Sequence, residues 1–584
     1  MELVYLYIGD DGRNIKNCEF NFSPKYRFHF DKNRKKLSLK IGEQLTLGWF
    51  GNNIDNVTAI IGKNGTGKSN LIDCVINALC GQGGGVVVWS YRGELYRNKC
   101  SFEIESDFQI KELDFWGSPF NIDIEQEERI TDTAIIYFSP NIDRKIQRKF
   151  PFHGCIDVST ANLLRIKNNY TKKNYNSYYF SDIDYMQITD TFKQILFFIY
   201  YQNEFLLEDI RVPEYLDITL RSYDIKNEKH PTCVQLMKGV DNSFSGQLRS
   251  ILIKQFFSND EIPKSWNTKT TFEEVLKHFL LNTNERPNIY NELIDLYSKK
   301  NIRCKLSEQK ASSKWDYFTF SIKRTALNIR LMTALFSYYF TEEPCYASFS
   351  TLRENVSNNN ISIRWDGLSS GEQAFYNFLA RINSELTVCE GEIHIQAKDE
   401  VKVWYNNDYK HFIIVLDEPE LSFHPEWQQK FLNLFLNSLE ELYPNFRFQV
   451  IIASHSPILV SDIPKSNIIF LDKDENGNCK TIDSITRENT FGANIHTLYK
   501  NSFFMDGLPI GEFAKRKIDR LFKELQTGNI SEEIHKEILL IGEPLFKNQL
   551  IKMYNDNLPN GVNKRVTELE KEVEELKRQL NDKN

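Results

Sequence analysis

The ten cysteines of this 584-residue chain include no C-x-x-C pair. That removes the spacing on which zinc ribbons and dithiol redox motifs depend. A chain this long can build a core without disulfide staples, so the scatter reads as reduced thiols. Positive net charge is missing as well, because 72 basic residues against 79 acidic ones leave −7. There is no whole-chain field for gripping nucleic acid, and any such contact must be a local patch. No run of 18 apolar residues occurs, and the nearest approach, "ILFFIYY" (Ile195–Tyr201), is too short to span a bilayer. The opening "MELVYLYIGDDGRN" lacks a basic stretch followed by an apolar one, so no secretory signal is expected. A cytoplasmic protein without a membrane partner is the expectation.

What is present is a hydrophobic fraction of 41% and a charged fraction of 26%, ordinary for a chain with a packed core. Short apolar runs broken by turns ("LVYLYIGDDG", "KLSLKIG", "NVTAIIG") read as strands over 1–144. Helical periods dominate 145–358, as in "ITDTFKQILFFIYYQNEFLLEDI" and "RTALNIRLMTALFSYYFT". This stretch predicts a mainly helical insertion, and its lack of long heptads excludes an extended coiled-coil arm. Strands return over 359–482, a helical region follows over 483–558, and a charged tail fills 559–584.

Three strand ends carry chemistry. "GKNGTGKS", Gly62 to Ser69, fits G-x-x-x-x-G-K-[ST], follows the apolar "VTAII" and opens a helix. Its glycines let successive backbone N–H groups turn inward to a phosphate, and the helix N-terminus favours negative charge. Gly62, Asn64, Gly65, Thr66, Gly67, Lys68, Ser69 and Asn70 are therefore candidate nucleotide-binding residues, with Lys68 on the β- and γ-phosphates and Ser69 on Mg²⁺. "FIIVLDEPE" delivers Asp417 and Glu418 from a buried strand: Asp417 as the second Mg²⁺ ligand, Glu418 as the base that polarises a water. "FQVIIASHSP" ends on His455, a candidate γ-phosphate contact. A fourth feature is "LSSGEQ", which opens the helix "EQAFYNFLARINSEL". Ser369, Ser370, Gly371 and Glu372 sit there as a second anion-friendly helix entrance.

Together these motifs resemble an ABC-type ATPase head. Gly62–Ser69 matches Walker A, "IIVLDE" Walker B, His455 the switch histidine, and "LSSGEQ" the signature usually written LSGGQ. Ser370 and Glu372 are departures common in SMC- and Rad50-like heads. "DEPELSFHPEWQ" is similar to a stretch of bacterial AAA-labelled ABC ATPases related to the OLD (overcoming lysogenization defect) family. The resemblance covers 1–145 and 360–475. It implies an α/β, Rad50/SMC-like ABC head with a large helical insertion and a helical C-terminal region. It also implies ATP and Mg²⁺ as ligands, and a homodimer in which one head's signature closes on the ATP of the other. "TFGANIHTLYKNSFFMDGLPIGEFAKRKI" (Thr490–Ile518) resembles a segment of anti-phage ATPases, those of Septu systems (PtuA) and their relatives encoded beside retrons. That likeness implies control of a partner HNH nuclease (PtuB-like), with a retron reverse transcriptase and its RNA/DNA as further candidates. Rad50/SMC-like DNA repair and an OLD-type ATPase-nuclease are the alternatives. The family's Q-loop glutamine is expected after "AIIYFSP", where this chain has Asn141 instead.

Three weaker features remain open. Asp472 and Asp474 in "IIFLDKDENG" read as a metal-binding pair or as a hairpin turn. The basic, aromatic-interleaved stretch Asp143–Phe180, with Arg144, Lys145, Arg148, Lys149, Arg165, Lys167, Lys172 and Lys173, suits nucleic acid, an acidic partner or a solvated loop. Val566, Leu569, Val573, Leu576 and Leu580 form a two-heptad seam, suited to helix pairing into a higher oligomer or to packing on their own domain.

Overall fold

The computed structural model describes residues 1–43, 45–79, 85–113, 133–142, 155–165, 182–200, 212–222, 227–257, 262–279, 289–304, 316–339, 361–390, 409–495, 497–498 and 511–558. The basic stretch, apart from its few described positions, and the terminal heptads lie outside them. Two compact units divide the chain at Phe504 and Met505.

A seven-stranded sheet organises the first unit. Its order is Cys155–Asp157, Thr133–Phe138, His411–Asp417, Arg447–Ser454, Ile54–Gly62, Ile468–Lys473 and Cys479–Ile482. All neighbours pair in parallel except the last, which folds back as a hairpin. The central strands are continuous apolar runs because both faces are covered. Phe412, Ile414 and Leu416 enter one core while Ile413 and Val415 enter another, the period of two that a strand imposes. The parallel register aligns the strand ends. Asp417 is level with Ala453, Ser454 with Ile61, and Leu471 with Gly62. The phosphate loop, the acids and the histidine therefore emerge along one edge, the carboxyl ends of the strands, where open α/β sheets bind ligands.

The N-terminal strands form two mixed sheets, antiparallel except where Glu94–Asn98 meets Lys111–Leu113 and Lys36–Ile41 meets Glu105–Ser106, which pair in parallel. One has five strands in the order Lys16–Asn21, Glu2–Asp10, Gly85–Tyr91, Glu94–Asn98 and Lys111–Leu113. The other has three: Tyr26–Asp31, Lys36–Ile41 and Glu105–Ser106. The stretch 145–358 holds the helices Asp182–Tyr200, Phe244–Phe257 and Ile329–Tyr339, as its periodicity predicts. It also holds what that periodicity did not predict, the strands Ile302–Cys304, Asp316–Lys323 and Tyr215–Ser222, which form an antiparallel sheet with Ile361–Trp365. Nor is its core separate. Phe198, Leu216, Phe320 and Phe378 share one apolar cluster with Ile414 of the central sheet.

A buried ion pair ties the helix Ser370–Glu390 to the helix Asp182–Tyr200. Arg381 donates to both carboxylate oxygens of Asp190 at 2.7 and 2.6 Å, and to Thr160 Oγ1 at 2.9 Å. The Thr160 N–H in turn donates to the Ser139 carbonyl at 2.9 Å. The two charged side chains are 4% and 2% exposed, so losing one strands the other without water. Arg381→Met is expected to destabilise the protein by about 3–5 kcal/mol, read from denaturant unfolding. A loss under about 1 kcal/mol would mean that Asp190 finds another partner.

The second unit has the helices Glu512–Gln526, Glu532–Leu539 and Pro544–Asp556 around Ile518, Leu521, Leu525, Ile534, Ile538 and Leu550. Among the described residues, no helix is long and apolar enough to cross a membrane.

Candidate functional site

The loop after Ile54–Gly62 is packed tightly enough to fix its residue types. A Cβ on Gly62 would lie 2.6 Å from the Leu471 carbonyl and 2.6 Å from Thr66 Oγ1. Gly67 has φ +107°, outside the range of L side chains, and a Cβ there would meet Asn14 at 3.0 Å. Thr66 closes the turn by donating its hydroxyl to the Lys63 carbonyl at 2.9 Å. The helix Lys68–Leu79 then begins, with the Leu71 N–H on the Gly67 carbonyl at 2.7 Å. Asn64, Gly65 and Ser69 are exposed along the loop and the first turn, free to face a ligand.

Lys68 is 6% exposed, and its ammonium donates to the carbonyls of Gly62 at 2.8 Å and Lys63 at 3.2 Å. Burial brings its pKa down to about 8, against the opposing pull of Glu418, Asp417 and Glu420. A phosphate restores the charged form. Nucleotide binding above about pH 8 must then take up a proton, so affinity should fall there with rising pH. ADP affinity is expected to be level near about pH 7 and to weaken by up to about tenfold per unit beyond about pH 8, by calorimetry. A flat profile to about pH 9.5 would contradict this role.

Asp417 is buried at the end of its strand. Glu418 follows with φ +52°, an uncommon backbone conformation for a side-chain-bearing residue and one that accumulates at active sites. Its N–H donates to the Ala453 carbonyl at 2.9 Å, which holds the bend. One Glu418 oxygen lies 3.3 Å from His455 Nε2, and the other accepts from Asn141 Nδ2 at 3.1 Å. The His455 hydrogen bond is the main reason that the Glu418 carboxyl stays below its usual range. The Asn141 bond, His455 charge and Lys68 add to it against partial burial. Glu418 is thus an ionised acceptor with both oxygens oriented. Asn141 stands where a glutamine is expected, and it reaches Glu418 itself.

Sequence reasoning passed over Glu420. This buried carboxylate accepts from the Ser454 hydroxyl and from the His455 N–H at 3.2 Å. Burial pushes its pKa up, with the Ser454 bond opposing. Ser456 extends the link by donating to Gln428 Oε1 at 2.7 Å. The only signal in the sequence was a second acid two residues after Glu418.

Asn70, a candidate nucleotide residue, has its side chain engaged within the chain. Its amide nitrogen donates to Asn14 Oδ1 at 2.6 Å and its oxygen accepts from Arg13 at 2.9 Å. Both ends are used, so the side chain braces the loop against the N-terminal strands.

The segment Leu368–Gln373 opens the helix Ser370–Glu390 through a reciprocal cap. The Ser369 N–H donates to the Glu372 carboxylate at 2.8 Å, and the Glu372 N–H to Ser369 Oγ at 3.3 Å. Ser369 and Ser370 are exposed, while Glu372 is buried in its capping role. Gly371 faces the turn after the acids, with a Cβ there 3.9 Å from the Ser422 carbonyl. Among the described residues, no hydrogen bond joins this segment to the phosphate loop of its own chain. Asp474 accepts the N–H groups of Asn476 at 2.9 Å and Asn478 at 2.8 Å, the duty of a hairpin turn.

The donor set suits a nucleotide with Mg²⁺: a phosphate-shaped loop, a buried ammonium resting on carbonyls, an exposed Ser69 hydroxyl and the buried Asp417 carboxylate. The family described as "AAA domain, putative AbiEii toxin, Type IV TA system" matches residues 199–461. That span holds the Ser369 segment, both acids and His455, and stops before the Ile468–Lys473 strand. The match supports an ABC-like AAA ATPase family, with ATP binding and hydrolysis as its activity.

Proposed function

We propose that this chain is the ABC-type ATPase subunit of a bacterial anti-phage complex, whose heads pair around ATP and so regulate a partner HNH-type nuclease. The observation that carries the ATPase part is the convergence of Lys68, Asp417, Glu418, Asn141 and His455 at one sheet edge. Glu418 accepts a hydrogen bond from a water and draws its proton as the water oxygen bonds to the γ-phosphorus. The bond to the bridging oxygen breaks, and ADP keeps the electron pair. Lys68 neutralises charge on the phosphates, and His455 contacts the γ-phosphoryl group while aligning Glu418. Ser69 and Asp417 would hold Mg²⁺, which would supply further charge neutralisation.

The pairing part rests on the exposed Ser369–Ser370 helix entrance, which has no hydrogen bond to its own phosphate loop. A partner's nucleotide is the anion it suits. The defence role rests on the likeness of Thr490–Ile518 to anti-phage ATPases. Its test is co-expression with the product of the neighbouring gene. The expected result is a co-purifying HNH protein whose DNA cleavage changes between ATP and ADP. Cleavage that ignores the nucleotide, or a neighbour unrelated to nucleases, would contradict this role.

A further inference from the structure

The acids and His455 approach the phosphate loop from one flank, and a second cation approaches it from the other. In the sheet, Ile54–Gly62 has Arg447–Ser454 on one side and Ile468–Lys473 on the other. Leu471 pairs with Gly62, so the last residue of that strand, Lys473, runs on beside the loop. A Cβ on Gly65 would lie 3.0 Å from Lys473 Nζ and 3.6 Å from its Cε. The ammonium is laid over the turn whose N–H groups form the cradle. It does so although the loop is electropositive and water is open to the side chain, which is exposed.

No carboxylate among the described residues holds it there. Among the described residues the Lys473 ammonium makes no hydrogen bond or ion pair. Asp472 accepts the Lys473 backbone N–H at 2.9 Å, and Asp474 is occupied by its turn. A cation over a phosphate cradle, with no anion of its own, is suited to the ligand's charge.

We propose that Lys473 is a nucleotide-binding residue that grips the diphosphate shared by ATP and ADP from the flank away from Glu418. This rests on the nucleotide reading above. Lying opposite the groups that act on the γ-phosphorus, Lys473 contributes equally before and during bond breaking. Such uniform binding raises affinity without raising kcat.

The test is ADP binding and steady-state ATP hydrolysis by the full chain and three variants: Lys473→Met, Lys473→Arg and Lys480→Met. Lys480 is an exposed lysine on the same hairpin and serves as the charge control. Lys473→Met should weaken ADP binding about tenfold and raise KM by a similar factor, with kcat within about twofold. Lys473→Arg should retain most of the affinity, and Lys480→Met all of it. Unchanged ADP affinity in a folded Lys473→Met protein overturns the proposal. So does a loss confined to kcat, or an equal loss in Lys480→Met. If the folded wild-type chain binds no ADP, the nucleotide reading fails, and this inference fails with it.

Discussion

Glu418→Gln is expected to cut ATP turnover by at least about a hundredfold and to leave nucleotide affinity within about twofold. The amide keeps the size of the carboxylate and can still accept from Asn141. What it loses is the negative charge that His455 and Asn141 orient, and with it the capacity to take a proton from water. Affinity should survive because the loop and Lys68 carry binding. The same separation makes Lys68→Ala the opposite case, weak in binding first. Steady-state phosphate release and calorimetric ATP binding, measured on one preparation, separate the two. Turnover at the wild-type rate would show that Glu418 is not the base.

Ser369→Arg is expected to abolish ATP-dependent self-association and to bring turnover to background, with single-site ADP affinity unchanged. Ser369 is exposed at the mouth of a 21-residue helix, and among the described residues it makes no hydrogen bond to its own phosphate loop. In the pairing proposed above, an arginine there would obstruct the partner's nucleotide site. The substitution also removes the hydroxyl of the cap, at a cost of about 1 kcal/mol. The helix beneath buries Phe375, Tyr376, Phe378 and Leu379 and is pinned by Arg381, so it should stay folded. Light scattering with and without ATP reads association, and ADP titration reads the single site. Normal association and turnover would leave "LSSGEQ" as a helix cap only.

The meeting of the strand ends was legible because each signal is local. "VTAII" before Gly62, "FIIVL" before Asp417 and "VIIA" before Ser454 are apolar runs whose ends must leave the sheet together once the strands are parallel. The cap at Ser369 was legible as a helix entrance, while the role of Glu372 as its reciprocal partner needed the backbone. Relations between distant segments were not legible. Asn141 reaches Glu418 from 277 residues away, and a glutamine was expected in its place. Glu420 matters through the backbone of His455, which no side-chain pattern announces. Tyr215–Arg221 alternates buried and half-buried positions only from Ile218 on, and its strand finds its partner about 100 residues later. The helical periods around it masked it.

The central claim is that each active site is shared between two chains. Mixing Lys68→Ala protein with Ser369→Arg protein tests this most directly. Each is inactive alone, the first through its loop and the second through its helix entrance. A mixed pair joins the intact loop of one chain to the intact entrance of the other. Each mixed pair holds one good site of two, so turnover should recover to at most about half of wild type. Restored ATP hydrolysis on mixing is the predicted result. A mixture no more active than the sum of its two components would contradict the shared site.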